Sequence, residues 1–456
     1  MNVIVICVDT LRWDYLGCYG KNKWIQTPLI DSYALKATRF NAAFCGSFPT
    51  VPMRVDAYTG DVNWPRYGWK GPDSEQKTLP AILRENEYYT ALILDTRNNV
   101  GAGLHEFYDE YHLIDKPPTS TVKPEHIEFP FPRENVRQNG RGYARDMAWT
   151  AHYQYETDWF VARTMLRACK WLEENAERDS FFLWVDTFEP HEVWNAPGYY
   201  TEMYSSDYKG TDYSYPNYGH TDIYQPHEIQ RLISRYAGEV TLTDRWVGHL
   251  LRQIEYMGLF EDTTVILTSD HGMYLGEHSR MGKHTVDYTD PWPLLDEVAR
   301  VPLLVWSPWT EAPHITHALV QPADLMPSVL EICGISSEAP YGRSLLPILR
   351  GEAEDHWEHI FSSYFSWEGA GRIEYLRSQI TVTTRNWSLV VGPPPYKAQL
   401  FDRRTDPDQK RDCAEAYSGV VEQLCSILAD FMAERGAKQE YILAFTGNRA
   451  SRKPKI

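Results

Sequence analysis

The sequence predicts an α/β fold: a central, mostly parallel sheet flanked by helices, with a small C-terminal α+β subdomain. Two observations carry this. Residues 2–8, 89–94, 180–186, 264–268 and 300–306 are short unbroken runs of apolar and β-branched residues, the pattern of strands buried on both faces. Between them lie segments with helical spacing of apolar residues, whereas beyond residue 355 the pattern changes to short alternating strands and one helix. A chain of 456 residues buries a large core and suits one large α/β domain with an appendage. The expected division is 1–350 and 351–456.

In chain order, the strand at 2–8 ends at Asp9-Thr10, so a carboxylate stands at its C-terminal edge, where open α/β sheets place their ligands. Thr27-Pro28-Leu29-Ile30-Asp31 reads as a capped helix start, and Thr78 to Arg84 as another helix. The strand at 89–94 runs into Asp95. Residues 115–145, rich in Pro, are expected to be a long irregular loop, a lid or an oligomer arm. A helix follows over 157–174, with Val161, Met165, Ala168 and Leu172 on one face. The strand at 180–186 leads into Glu189-Pro190-His191, and 198–226 reads as a Tyr-rich loop. A helix over 228–257 is stopped by Gly258, and a helix over 321–333 follows the strand at 300–306. Strands at 379–383 and 387–391 and a helix at 420–435 complete the C-terminal part.

Two stretches carry chemistry. In Thr50-Val51-Pro52-Met53-Arg54 a hydroxyl precedes a rigid Pro and a guanidinium. A hydroxyl needs a metal or a base to become a good nucleophile. A helix starting at Pro52 would aim free N–H groups at an anion, and Arg54 adds a planar fork of donors. In Asp270-His271-Gly272, at the end of the strand 264–268, one hard oxygen and one imidazole suit a divalent metal. Lys283 and His284 lie on a loop downstream, and His278 reads as surface. Aromatic loop residues (Trp64, Tyr67, Trp69, Trp194, Trp292 and the pair Tyr199-Tyr200) are the expected pocket walls.

Composition narrows the class. A net charge of −17 argues against nucleic acid, whose binders show a basic patch. The seven scattered Cys form no C-x-x-C pair and read as reduced thiols. The N-terminal apolar run has no basic leader and ends at Asp9, too short for an export signal or a membrane span. The expectation is a cytoplasmic protein without membrane or nucleic-acid partners. Its long irregular segments leave room for a homo-oligomer.

Taken in order, Asp9, the nucleophile-x-Pro-x-Arg turn with Thr59-Gly60, Pro190-His191 and Asp270-His271-Gly272 resemble the sulfatase branch of the alkaline phosphatase superfamily. The similarity continues through Gly276-Glu277-His278, Gly282-Lys283, Arg300-Val301-Pro302-Leu303, Gln321-Pro322-Ala323-Asp324 and Gly342-Arg343-Ser344-Leu345 to Leu400-Phe401-Asp402, almost the entire chain. It implies an alkaline-phosphatase-like sheet and a hydrolase of small anionic esters. Asp9, Asp270 and His271 match the metal-holding positions, with Thr50 as nucleophile and metal ligand. Arg54 matches the residue that orients the nucleophile. His191 and Lys283 match residues contacting the transferred group or the leaving group, and His284 is a further substrate-binding candidate.

Three departures shape the expectation. Thr50 stands where sulfatases carry the Cys or Ser that becomes formylglycine, and Thr cannot yield that aldehyde; Cys45 lacks the Pro-x-Arg frame. Thr10 replaces a second Asp, and Leu94-Asp95 replaces a Gly-Lys. The expected enzyme is therefore a formylglycine-free hydrolase of phosphate mono- or diesters, working through a covalent phospho-threonine at Thr50 with one divalent ion. Mn or Zn suits the imidazole better than Ca or Mg; Asp186 could be offered to a second ion, but its spacing to His191 does not fit. The alternatives are a sulfatase acting through unmodified Thr50 and a metal-binding homologue without activity.

Overall fold

The computed structural model describes all residues except 67, 116–121, 285–291, 311, 337, 365–367, 370–371, 374–378 and 448–456. The main sheet has eight strands: β1 Asn2–Val8, β2 Thr38–Phe44, β3 Tyr89–Leu94, β4 Glu110–Leu113, β5 Phe181–Thr187, β6 Thr263–Ser269, β7 Arg300–Trp306 and β8 Ile315–Thr316. Their spatial order is β8-β2-β7-β6-β1-β5-β3-β4. β1 lies parallel to both β5 and β6, β3 continues the parallel run, and β7 is antiparallel to its neighbours. The five apolar runs are the inner strands. Of the three strands without that signature, β8 has only two residues, and β2 and β4 carry Arg39, Asn41, Glu110 and His112. They sit toward the two sides of the sheet and are only partly covered, so no continuous apolar run was required of them.

Side chains alternate across β1 into two cores. Ile4, Ile6 and Val8 face helices Pro28–Ala34, Phe160–Asn175 and Pro226–Tyr256. Val3, Val5 and Cys7 face Thr50–Thr59, Leu79–Glu85 and Leu325–Ile332. Helix Pro226–Tyr256 starts as its sequence dictates: Pro226 takes the first turn, and Gln225 and Glu228 form a reciprocal cap. Gly258, at φ 70°, turns the chain away after its end.

Two expected loops contain helices. Arg141–Thr150 is helical inside the tail of the Pro-rich stretch, and Gly198–Glu202 inside the Tyr-rich one. Both helices lean on tertiary packing through small or aromatic residues (Gly142, Tyr143, Ala144; Tyr200, Thr201), a signal weaker than a leucine stripe. Residues 116–121 of the first stretch lie outside the described residues. Toward the C-terminus, β9 Ile360–Tyr364, β10 Ile380–Thr383, β11 Trp387–Val391 and β12 Gln399–Asp402 form a second sheet. Its edge is completed by Ser47-Phe48, paired parallel to β9 just before the Thr50 turn. No helix among the described residues is long and apolar enough to cross a membrane.

Glu239, in the long helix, is fully buried. Its Oε1 accepts from Ala196 N–H at 2.5 Å, while Oε2 has no well-formed hydrogen bond among the described residues. Burial pushes its carboxyl up to about 8, against the opposing pull of the Ala196 hydrogen bond and Arg235. An unfolded Glu titrates near ~4.3. Between those values the folded chain holds a proton that the unfolded chain has lost, so stability falls as pH rises through that window. Thermal unfolding of wild type and Glu239→Gln across pH 5–8 should show the wild type losing ground to the variant as pH rises. A constant difference would mean that Glu239 is ionised in the fold.

Candidate active site

Asp9 follows β1, Asp270 and His271 follow β6, and His191 follows β5, so the site gathers over the C-terminal ends of adjacent central strands. Asp9, Asp270 and His271 are fully buried, and they offer ligand atoms within 4.8 Å of one another. His271 Nδ1 lies 2.9 Å from Gly272 O. A carbonyl only accepts, so this nitrogen carries the proton and Nε2 keeps its lone pair. Among the described residues, that Nε2 and Asp9 Oδ2 are buried without a hydrogen-bond partner. Two orphaned buried acceptors and a second carboxylate, turned to one point, are the donor set of a divalent metal. The residues fit the ion.

Arg54 ties this set to the Thr50 turn. Its guanidinium, fully buried, forks onto Asp186 through Nε (2.8 Å) and Nη2 (2.9 Å). Nη1 donates to Asp270 Oδ2 at 2.5 Å and to Thr50 O at 3.1 Å, and Nη2 lies 3.7 Å from Asp9 Oδ2. Asp186 also accepts from Thr96 Oγ1 and Trp184 Nε1. It is thus an anchor for Arg54 and has no place in the metal set. Thr50 itself opens helix Thr50–Thr59, two residues earlier than a start at Pro52. It is 4% exposed, and its hydroxyl makes no hydrogen bond among the described residues.

The charges are arranged unequally. Burial, and then the neighbouring Asp270, push the Asp9 carboxyl well up, with Lys283 and Arg54 pulling the other way. Burial opposes charge on Asp270 as well, but His271 and Arg54 outweigh it and hold that carboxyl low. Burial pushes His271 down to about 3 against the pull of Asp270, so the ring is a neutral ligand at pH 7.

Lys283 reaches the same centre: Nζ donates to Thr10 Oγ1 at 2.7 Å and lies 3.9 Å from Asp9 Oδ1. Thr10 Oγ1 in turn donates to Asp9 Oδ1 at 2.6 Å, and Thr10 N–H to Asp270 Oδ1 at 2.9 Å. The residue that replaces a second Asp thus became a relay between the lysine and the first carboxylate.

His191 stands to one side. Its ring stacks on Phe188 at 3.9 Å, and Nδ1 faces Glu192 O at 2.8 Å. Burial pushes it down to about 3, opposed by Glu192. Glu192, absent from the sequence expectations, is 2% exposed and takes hydrogen bonds from Arg137 (3.1 Å) and the Tyr218 hydroxyl. His284 meets the edge of the Tyr218 ring at 5.1 Å, and Tyr218 in turn donates to Glu192. His278 is not surface: it is 13% exposed at the side chain and its Nε2 lies 3.6 Å from Glu297.

The expected aromatic walls need correction. Trp64, Trp194 and Trp292 are core residues, each at most 1% exposed; a large ring with one donor packs inside when a carbonyl is near, as Phe361 O is for Trp64 and Pro190 O for Trp194. Tyr67 lies outside the described residues, and Tyr199 and Trp69 are exposed. The cavity that does border His191 is walled by other rings, Trp149, Tyr153, Trp159, Phe160 and Phe188.

An α/β sheet that gathers a buried Asp-Asp-His set able to hold a divalent ion, a hydroxyl on a helix N-terminus and a buried arginine is the arrangement of an ester hydrolase. Residues 1–335 match the Sulfatase family, and residues 284–434 match the family described as N-sulphoglucosamine sulphohydrolase, C-terminal. The chain belongs to the sulfatase family of the alkaline phosphatase superfamily. It is 24% identical to the uncharacterized sulfatase YidJ of Escherichia coli (strain K12), over 94% of this chain and 87% of that protein. It is 23% identical to arylsulfatase K of Gallus gallus, over 94% and 81%. Among solved structures, the phosphonate monoester hydrolase of Agrobacterium radiobacter superposes with a TM-score of 0.77 at 19% identity, covering 95% of this chain and 96% of that one.

Proposed function

We propose that this chain hydrolyses phosphate mono- or diesters with Thr50 as nucleophile. The observation that supports this most is the position of Thr50. It opens a helix whose Arg54 is bonded at once to the Thr50 backbone and to the candidate metal ligand Asp270. Asp9, Asp270 and His271 would hold a divalent ion, for which Mn or Zn suits the imidazole best, and that ion would supply Lewis acidity to the reaction. Thr50 Oγ1 attacks phosphorus, the bond to the leaving oxygen breaks, and water then cleaves the phospho-threonine, so that the leaving group gains a hydrogen and phosphorus a hydroxyl. Lys283 and Arg54 bring positive charge to the oxygens of the transferred group. His191, neutral and with its Nε2 lone pair free of the Glu192 carbonyl, borders the leaving-group side.

A second reading, sulfate-ester hydrolysis by unmodified Thr50, is favoured by the family match itself. Initial rates on an aryl sulfate, an aryl phosphate and a bis-aryl phosphate, with metal content quantified, separate the two. Dominant phosphoester turnover is the expected result; dominant sulfate turnover would replace the first reading with the second. The location expected from the sequence, the cytoplasm, remains part of this proposal.

A further inference from the structure

A cavity of about 210 Å³ opens on the far side of His191, over the ends of β3 and β5. It is smaller than the ~300–1,000 Å³ of drug-sized pockets, so it takes one small group. His191 and Glu192 form the wall it shares with the reaction centre, whose Lys283 charge acts on both. Its other walls are the rings of Trp149, Tyr153, Trp159, Phe160 and Phe188, and carboxylates stand among them.

The carboxylates are not equivalent. Asp95 is satisfied by Thr164, Thr187 and the Phe188 N–H. Asp146 pairs with Arg145, Arg97 pairs with Asp115, and Glu192 is held by Arg137 and Tyr218. Glu189 differs: backbone N–H groups of Glu189 and Val161 lie against its carboxyl, but among the described residues its Oε2, shut off from solvent, has no hydrogen-bond partner and no ion pair reaches the group. Burial raises its carboxyl, and the nearby Asp95 and Glu239 raise it further. Trp159 Nε1 is likewise buried and without a partner among the described residues. A neutral apolar group would leave that oxygen unpaired, and an anion would add to the repulsion. A cation would supply the missing counter-charge while its alkyl surface lay on the rings of Tyr153 and Trp159, since Arg97 and Arg145 already lie over Trp149, Arg163 over Phe160 and His191 over Phe188.

We propose that this cavity is a leaving-group subsite for a small ammonium, held by Glu189 and the aromatic box, so that the preferred esters are those of amino alcohols or quaternary ammonium alcohols. This rests on the hydrolase reading for its purpose, while the binding itself does not depend on turnover.

The test has a binding arm and a rate arm. Calorimetry of the metal-loaded protein with tetramethylammonium chloride should show saturable binding, with no matching signal from neopentyl alcohol, and Glu189→Gln should weaken it about tenfold. If that variant does not fold, Trp159→Leu is expected to weaken it in the same direction. In the rate arm, kcat/KM for phosphocholine over its uncharged isostere 3,3-dimethylbutyl phosphate should be about tenfold or more in wild type and should collapse toward one in Glu189→Gln. No tetramethylammonium binding by wild type, or binding that both variants leave intact, overturns the subsite whatever the enzyme hydrolyses. Binding with no turnover of any ester would instead keep the ammonium site and overturn the hydrolase reading.

Discussion

Thr50→Ala is expected to lower phosphoester turnover by on the order of 10³-fold or more, the scale on which loss of a nucleophile is felt, with little change in melting temperature. The two halves of that expectation have separate causes. The hydroxyl makes no hydrogen bond among the described residues, and Ala is a better helix former than Thr, so the fold loses nothing. Metal should also stay at one ion per chain, because Asp9, Asp270 and His271 converge without Thr50. Acid quenching of wild type during turnover, followed by mass analysis of the peptide containing Thr50, should find the transferred group on that residue. Full activity in the variant would move the nucleophile elsewhere. Thr50→Cys co-expressed with a formylglycine-generating enzyme asks the complementary question, whether sulfate turnover appears once the aldehyde can form.

The sequence made this site legible where chemistry is local. Asp9 and Asp270-His271 stand directly after unbroken apolar runs, and Thr50 and Arg54 are spaced by a helical turn, so residue type and position spoke together. What joins distant segments was hidden. Asp186 ends up under Arg54 only because β5 pairs with β1. Thr10 becomes a relay only when Lys283 folds back over it. Glu192, Arg137 and Tyr218 come from three segments that no periodicity links. The fold behaved likewise: inner strands announced themselves by continuous apolarity, while β2 and β4, with charged residues facing out, did not.

Arg54→Met should be the most destabilising single change at the site in metal-free protein, by about 3–5 kcal/mol, the cost of leaving buried charge uncompensated. Among the described residues the guanidinium is the one cation in contact with Asp186 and Asp270 together, and it lies 3.7 Å from Asp9, so its loss takes the counter-charge from Asp186 and Asp270 and leaves Asp9 with Lys283 alone. Adding Mn²⁺ should recover part of that loss and not all of it. An ion in the Asp9–Asp270–His271 set would neutralise Asp9 and Asp270, whereas Asp186 keeps, among the described residues, only the neutral donors Thr96 and Trp184. The residue of the effect is therefore assigned to Asp186 and can be isolated. Arg54→Met with Asp186→Asn should be more stable than Arg54→Met alone, both with and without metal. Equal unfolding midpoints for the single and double variants would mean that Asp186 takes up a proton at little cost when the arginine leaves. Arg54 would then act chiefly on the metal ligands. Complete recovery of Arg54→Met by Mn²⁺ alone would point the same way.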